Sequence, residues 1–145
     1  MKKKIIIGII VVAILIIIAN GQIALMIRLR NNVKAISFPA NIEKIAIRSA
    51  FGDSGGNGDY STVRVVVLVK TELDRYEIRD TIDEMNLRFT SGLYKYNGNV
   101  PNVHIYPCED NTHSSARGFE LHFKELDNVA DFSDYYFLEF IQSIF

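Results

Sequence analysis

The chain contains no tryptophan, one cysteine and three prolines, and neither sign of charge prevails. The single cysteine, Cys108, excludes an internal disulfide, so the fold must rest on its apolar core. Sixteen Lys and Arg against seventeen Asp and Glu give a formal net charge of −1. That balance excludes a strongly basic nucleic-acid binder. A hydrophobic content of 48% excludes a disordered chain. No Walker loop or dinucleotide fingerprint is present. The glycine-rich stretch near residue 55 precedes a strand pattern, whereas phosphate cradles precede a helix. At 145 residues the length fits one domain.

The apolar residues are unevenly placed. Lys2, Lys3 and Lys4 form a short basic terminus, residues 1–4. Ile5 to Ala19 follows without a polar side chain, Asn20, Gly21 and Gln22 interrupt, and Ile23 to Ile27 resumes. Residues 5–27 would form a helix of about 34 Å at ~1.5 Å per residue. That exceeds a hydrocarbon core of about 30 Å. The segment is therefore expected to be a transmembrane signal anchor contacting membrane lipid. A signal peptide cleaved after Gly21 is the alternative, because a basic start and an apolar core fit that pattern too. No cysteine lies near the segment, so a lipoprotein anchor is excluded. A pilin-like subunit needs a Glu early in the helix, and Ile5 to Ala19 contains no acid. The lysines before the span favour an inside terminus and an outward-facing remainder. Residues 28–41, polar and ending near Pro39, are expected to be a linker.

Periodicity changes over 42–145, the expected extracytoplasmic domain. Ile42 to Ala50 alternates, with Ile45 and Ile47 expected on one side. Thr62 to Lys70 is β-branched and apolar on both faces in its middle, the mark of a central strand. Thr71 is a fair N-cap for a helix whose stripe is Ile78, Ile82, Met85 and Phe89. Asn102 to Pro107 and Arg117 to Lys124 read as strands. Asp127 or Asn128 would cap a final helix to about Ser143, with Val129, Phe132, Tyr136 and Phe140 in one stripe. The expected class is α+β: a transmembrane helix, then a β-β-α-β-β-α two-layer sandwich with a mostly antiparallel four-stranded sheet. Without the six basic residues of the first 34 positions, ten bases face seventeen acids, a net of −7. That disfavours nucleic acid as a partner of the domain.

Gly52-Asp53-Ser54-Gly55-Gly56 resembles the nucleophile motif of chymotrypsin-like serine proteases over five residues. In that arrangement the base histidine precedes the serine. Here His104, His113 and His122 all follow Ser54, so the string reads as a polar turn between strands. Asp53, Asn57 and Asp59 carry oxygens suited to calcium, without the spacing of an EF-hand. Together with Tyr60, Tyr94 and Tyr96, they are candidate partner contacts. A hairpin of 102–107 with 117–124 would bring His104 opposite Leu121 or His122. Cys108 or His113 would then supply a third ligand for zinc or copper. No residue set matches a catalytic constellation. The expectation is a membrane-anchored, non-enzymatic interaction module for a protein or cell-envelope component, without a cofactor. A zinc- or copper-binding domain using His104 and His122 is the alternative.

Overall fold

The computed structural model describes residues 2–53, 61–87, 102–114 and 119–144. Its centre is set by two apolar strands. β2 (Ser61–Lys70) places Val63, Val65, Val67 and Val69 on one face and Val66 and Leu68 on the other. β6 (Tyr135–Ile144) behaves likewise, with Leu138 and Phe140 opposed to Phe137. β1 (Glu43–Asp53) and β3 (Asn102–Pro107) flank them. The strand order is β1-β2-β6-β3 and every neighbouring pair is antiparallel. The class is therefore α+β with a four-stranded antiparallel sheet, and β2 is central as its two apolar faces imply.

One face of the sheet is covered by helices. α1 (Lys2–Ala35) and α2 (Arg75–Glu84) bring Leu29, Val33, Ile78 and Ile82 against the valines of β2. Burial there follows helical spacing, because residues four apart share a face. α2 begins at Asp74 rather than at Thr71. The Asp74 carboxylate accepts from the Tyr76 and Glu77 backbone N–H groups, and Glu77 accepts from the Asp74 N–H. This capping box satisfies donors that a Thr71 start would leave to water. Thr71 instead closes a local turn, its Oγ1 accepting from Leu73 N–H. The helix stops where Asn86 turns left-handed at φ 45°, a conformation asparagine tolerates.

The other face carries a second layer. β4 (Thr112–Ser114) pairs with β5 (Glu120–His122), and a 3-10 turn at Lys124–Leu126 follows. Phe119, Phe123 and Leu126 pack there against Val66, Leu68 and Phe137. The sheet is thus covered on both sides, where two layers were expected.

Four further expectations are corrected. The final helix is strand β6. Its apolar run from Tyr135 to Ile141 satisfies helical and strand spacing alike, and the aromatic content favours the pleat. Of the expected strand 117–124, residues 117–118 lie outside the described residues and Glu120–His122 form β5, which pairs with β4. β3 pairs with β6 instead. Ile45 and Ile47 lie on opposite faces, because register shifts between Lys44 and Ala46 and such a bulge breaks the alternation. Residues 28–35 are no linker. They are the last two turns of α1, and Leu29 and Val33 are fully buried in the core.

All twelve side chains from Ile6 to Ile17 are exposed, and residues in sequence along a helix point to every side. Side chains 18–20 and 22 lie outside the described set. Among the described residues no helix is long and apolar enough to cross a membrane.

Candidate functional site

The histidines expected to share a metal are separated by topology. His104 lies on β3 opposite Glu139 of β6, exposed and stacked on Tyr106 at 6.2 Å. His122 lies on β5 opposite Thr112, its Nε2 3.0 Å from the Asp127 carboxylate. The pairing that would bring the two together is absent, because β6 occupies the place beside β3. Cys108 is buried, and its backbone N–H donates to Tyr135. Burial, helped by the charge of Asp110, pushes its thiol up to about 12. A thiol held protonated is a poor ligand, since the thiolate binds metal. Among the described residues no group of three or more His, Cys, Asp or Glu could hold a metal ion. Of the candidate partner contacts, Asp53 ends β1 opposite Ser61. Its side chain, with Asn57, Asp59, Tyr60, Tyr94 and Tyr96, lies outside the described residues.

The structure assembles two other polar groupings. The first is closed between the sheet and the β4–β5 layer. Arg64 is the one charge inside an otherwise apolar stretch of β2, and Glu139 the one charge of β6. A diagonal step across the antiparallel pair brings the Arg64 Nη1 within 2.7 Å of Glu139 Oε1. The guanidinium also donates to Thr62 Oγ1 and lies over the Phe119 ring at 5.3 Å. His113 sits among Tyr106, Phe119 and Phe137, its Nε2 3.9 Å from Glu139 Oε2. That is too long for a hydrogen bond, and Nε2 has no partner. Burial alone would raise the Glu139 carboxyl. His113 and Arg64 beside it more than offset this and hold it below the usual carboxylate range. Tyr106 is pushed up, first by burial and then by the Glu139 charge. Arg64, Glu139 and His113 are 10%, 1% and 5% exposed, so the charges lie inside the contact between the two layers. The cluster therefore fixes the outer layer onto the sheet.

The second grouping lies where α1 meets β1. Pro39 prevents the helix from continuing far beyond Ala35. The Lys44 ammonium donates 2.8 Å bonds to the carbonyls of Lys34 and Ile36, closing the helix end. The ammonium also lies 5.7 Å from the centre of the Phe38 ring. Burial, with the adjacent Lys34 charge, pulls the Lys44 ammonium down. A cleft of about 470 Å³ opens beside it, with Arg30 and Lys34 on the helix and Ile45 and Ile47 on the strand.

None of Arg64, Glu139 or Lys44 stands out in the sequence as a functional residue. The signal for the first two was present: each is a lone charge within an apolar strand. Their proximity was invisible without the β2–β6 pairing. No protein-family model, curated protein or solved structure matches this chain.

Proposed function

We propose that this is a single-pass membrane-anchored protein whose α+β domain lies outside the cytoplasm and serves, without catalysis, to bind a protein or cell-envelope component. One observation carries the reading. α1 is a single 34-residue helix whose first turns expose apolar side chains on all sides and whose last turns are built into the core. Water is a poor solvent for that first part, since burial of apolar area contributes about 25 cal/mol per Å². Counted in the sequence, with positions 5, 18–20 and 22 included, residues 5–27 have the length that a bilayer requires. Lys2, Lys3, Lys4 and the amino terminus favour an inside terminus, against Arg28, Arg30 and Lys34 at the other end of the segment. Anchor and domain then share one helix, so the domain is held at a set height and attitude above the bilayer. Such a mount suits a module that must present one surface to a partner. Exposed Phe51, Tyr76 and Tyr106 supply aromatic contact area of the kind partner surfaces favour.

The test is topology in intact cells. The full chain is expected in the membrane fraction after alkaline carbonate washing. Tyr76→Cys, at one of the most exposed side chains, is expected to react with a membrane-impermeant maleimide before lysis. Buried Cys108 provides a silent background. Carbonate release, or labelling only after lysis, overturns the reading.

A further inference from the structure

The cleft between α1 and β1 combines features that neither element has alone. Ile27, Arg30, Asn31 and Lys34 fall at spacings of three, one and three, which is one side of the helix. The opposing wall is Lys44 to Ile47 of β1. Three cations line the space and no acid does. Among the described residues, neither Arg30 nor Lys34 makes an ion pair. Of the other basic side chains of the sheet, Arg48 pairs with Glu125, Arg64 pairs with Glu139, and Lys70 lies over the Tyr135 ring. The cleft is therefore an uncompensated positive site in a domain that is otherwise acidic. Ile27, Ile45 and Ile47 add apolar lining at the sheet edge.

The position is as informative as the charge. Ile27 ends the apolar run, and Lys34 lies seven residues further, about 10 Å along the axis. The polar headgroup zone occupies about 5–8 Å on each side of the hydrocarbon core. Arg30 and Asn31 therefore stand at headgroup level and Lys34 just above it, if residues 5–27 span the membrane. Cations beside apolar side chains at that height match a lipid phosphate with its acyl chains directed along Ile27. A volume of about 470 Å³ admits a phosphoglycerol group.

We propose that the Arg30–Lys34–Lys44 cleft is a binding site for the phosphate headgroup of an anionic glycerophospholipid, seated at the junction of helix and sheet. The Arg30 and Lys34 side chains engage the phosphate, and Lys44, held at the helix end, adds its positive charge. Bound there, the lipid bridges the anchor helix to the edge strand. The site rests on the membrane reading above.

The experiment uses the full chain in neutral maltoside micelles. Phosphatidylglycerol, phosphatidylcholine with the same acyl chains, and inorganic phosphate are titrated separately, with bound molecules counted by native mass spectrometry. One phosphatidylglycerol is expected to bind in preference to phosphatidylcholine. Arg30→Gln/Lys34→Gln should weaken it by about 30-fold, as for two surface cations removed. Arg75→Gln/Lys124→Gln removes the same charge from exposed sites elsewhere and should leave binding unchanged. Each single variant, Arg30→Gln and Lys34→Gln, provides the same readout at smaller loss should the double variant melt early by circular dichroism. Equal binding of the two lipids, or unchanged binding in the cleft variants, overturns the proposal. Displacement of phosphatidylglycerol by equimolar inorganic phosphate also overturns it, because the site would then take any free anion. Carbonate extraction of membranes reads the anchor separately. A chain released by carbonate that still selects phosphatidylglycerol in micelles loses the anchor and keeps the cleft. A retained chain with no lipid preference loses the cleft alone.

Discussion

Glu139 on β6 and Arg64 on β2 form a 2.7 Å ion pair beneath the β4–β5 layer, with the carboxylate almost wholly removed from water. A buried pair gains little over an apolar replacement, because two charges lose their hydration. Removing one partner is different, since the other charge is then stranded. Arg64→Met is expected to destabilise the fold by about 3–5 kcal/mol, and Arg64→Met/Glu139→Leu by clearly less. Urea unfolding of the full chain in micelles, followed by tyrosine fluorescence, compares the two. A double variant as unstable as the single one would refute the account.

The same carboxyl makes stability depend on acid. Glu139 titrates below its unfolded value, so the folded state binds that proton less readily than the unfolded chain does. Its contribution is complete above the unfolded value of about 4.3 and is lost as pH falls through the lower folded value. Glu125, which burial would raise but its own backbone and the Arg48 pair hold down, acts in the same direction. Thermal midpoints are expected to fall as pH drops below about 4.3. Glu139→Gln should show a shallower fall between pH 5 and 3. An identical profile in that variant would assign the acid sensitivity elsewhere.

Leu29 and Val33 tie α1 to the sheet. Leu29→Ala is expected to cost about 2–5 kcal/mol, the range for a buried leucine. A fragment starting at residue 35 loses both side chains and should unfold at markedly lower urea than one starting at residue 24. Equal midpoints for the two fragments would mean that the helix end contributes nothing to the core.

Cys108 is expected to be inert in the folded chain. Its thiol is buried and pushed up to about 12, so thiolate is scarce at neutral pH. N-ethylmaleimide at pH 7 should modify it at least about 100-fold faster in 8 M urea than in buffer, by the ratio of thiolate at an ordinary value near 8.5. Rapid labelling of the native protein would place the thiol at the surface.

The strands that could be read locally were read correctly. β2 and β3 carry β-branched and alternating residues, and both appear where those patterns place them. Ile78, Ile82 and Met85 of the α2 stripe were likewise legible, Phe89 lying outside the described residues, although the helix start moved to the residue that could complete a capping box. β6 was misread because an apolar run fits every period, and only its partners distinguish a central strand from a buried helix. The β3 hairpin assumed for the metal site is likewise not formed. It required β3 to pair with the next strand in sequence, whereas β6 returned from the end of the chain to lie between β2 and β3.

By itself, the amino-acid order determined the apolar terminal run, the valine-rich centre of the sheet and the alternation of β3, because each depends on the periodicity of one segment. Tertiary structure alone decided the rest. It turned residues 28–35 from linker into core, paired Arg64 with Glu139 across 75 positions, and brought Lys44 back to the end of α1 to form the cleft. Those outcomes depend on which distant segments become neighbours, and hydrogen bonds and charge pairs act only between groups already brought within a few ångströms.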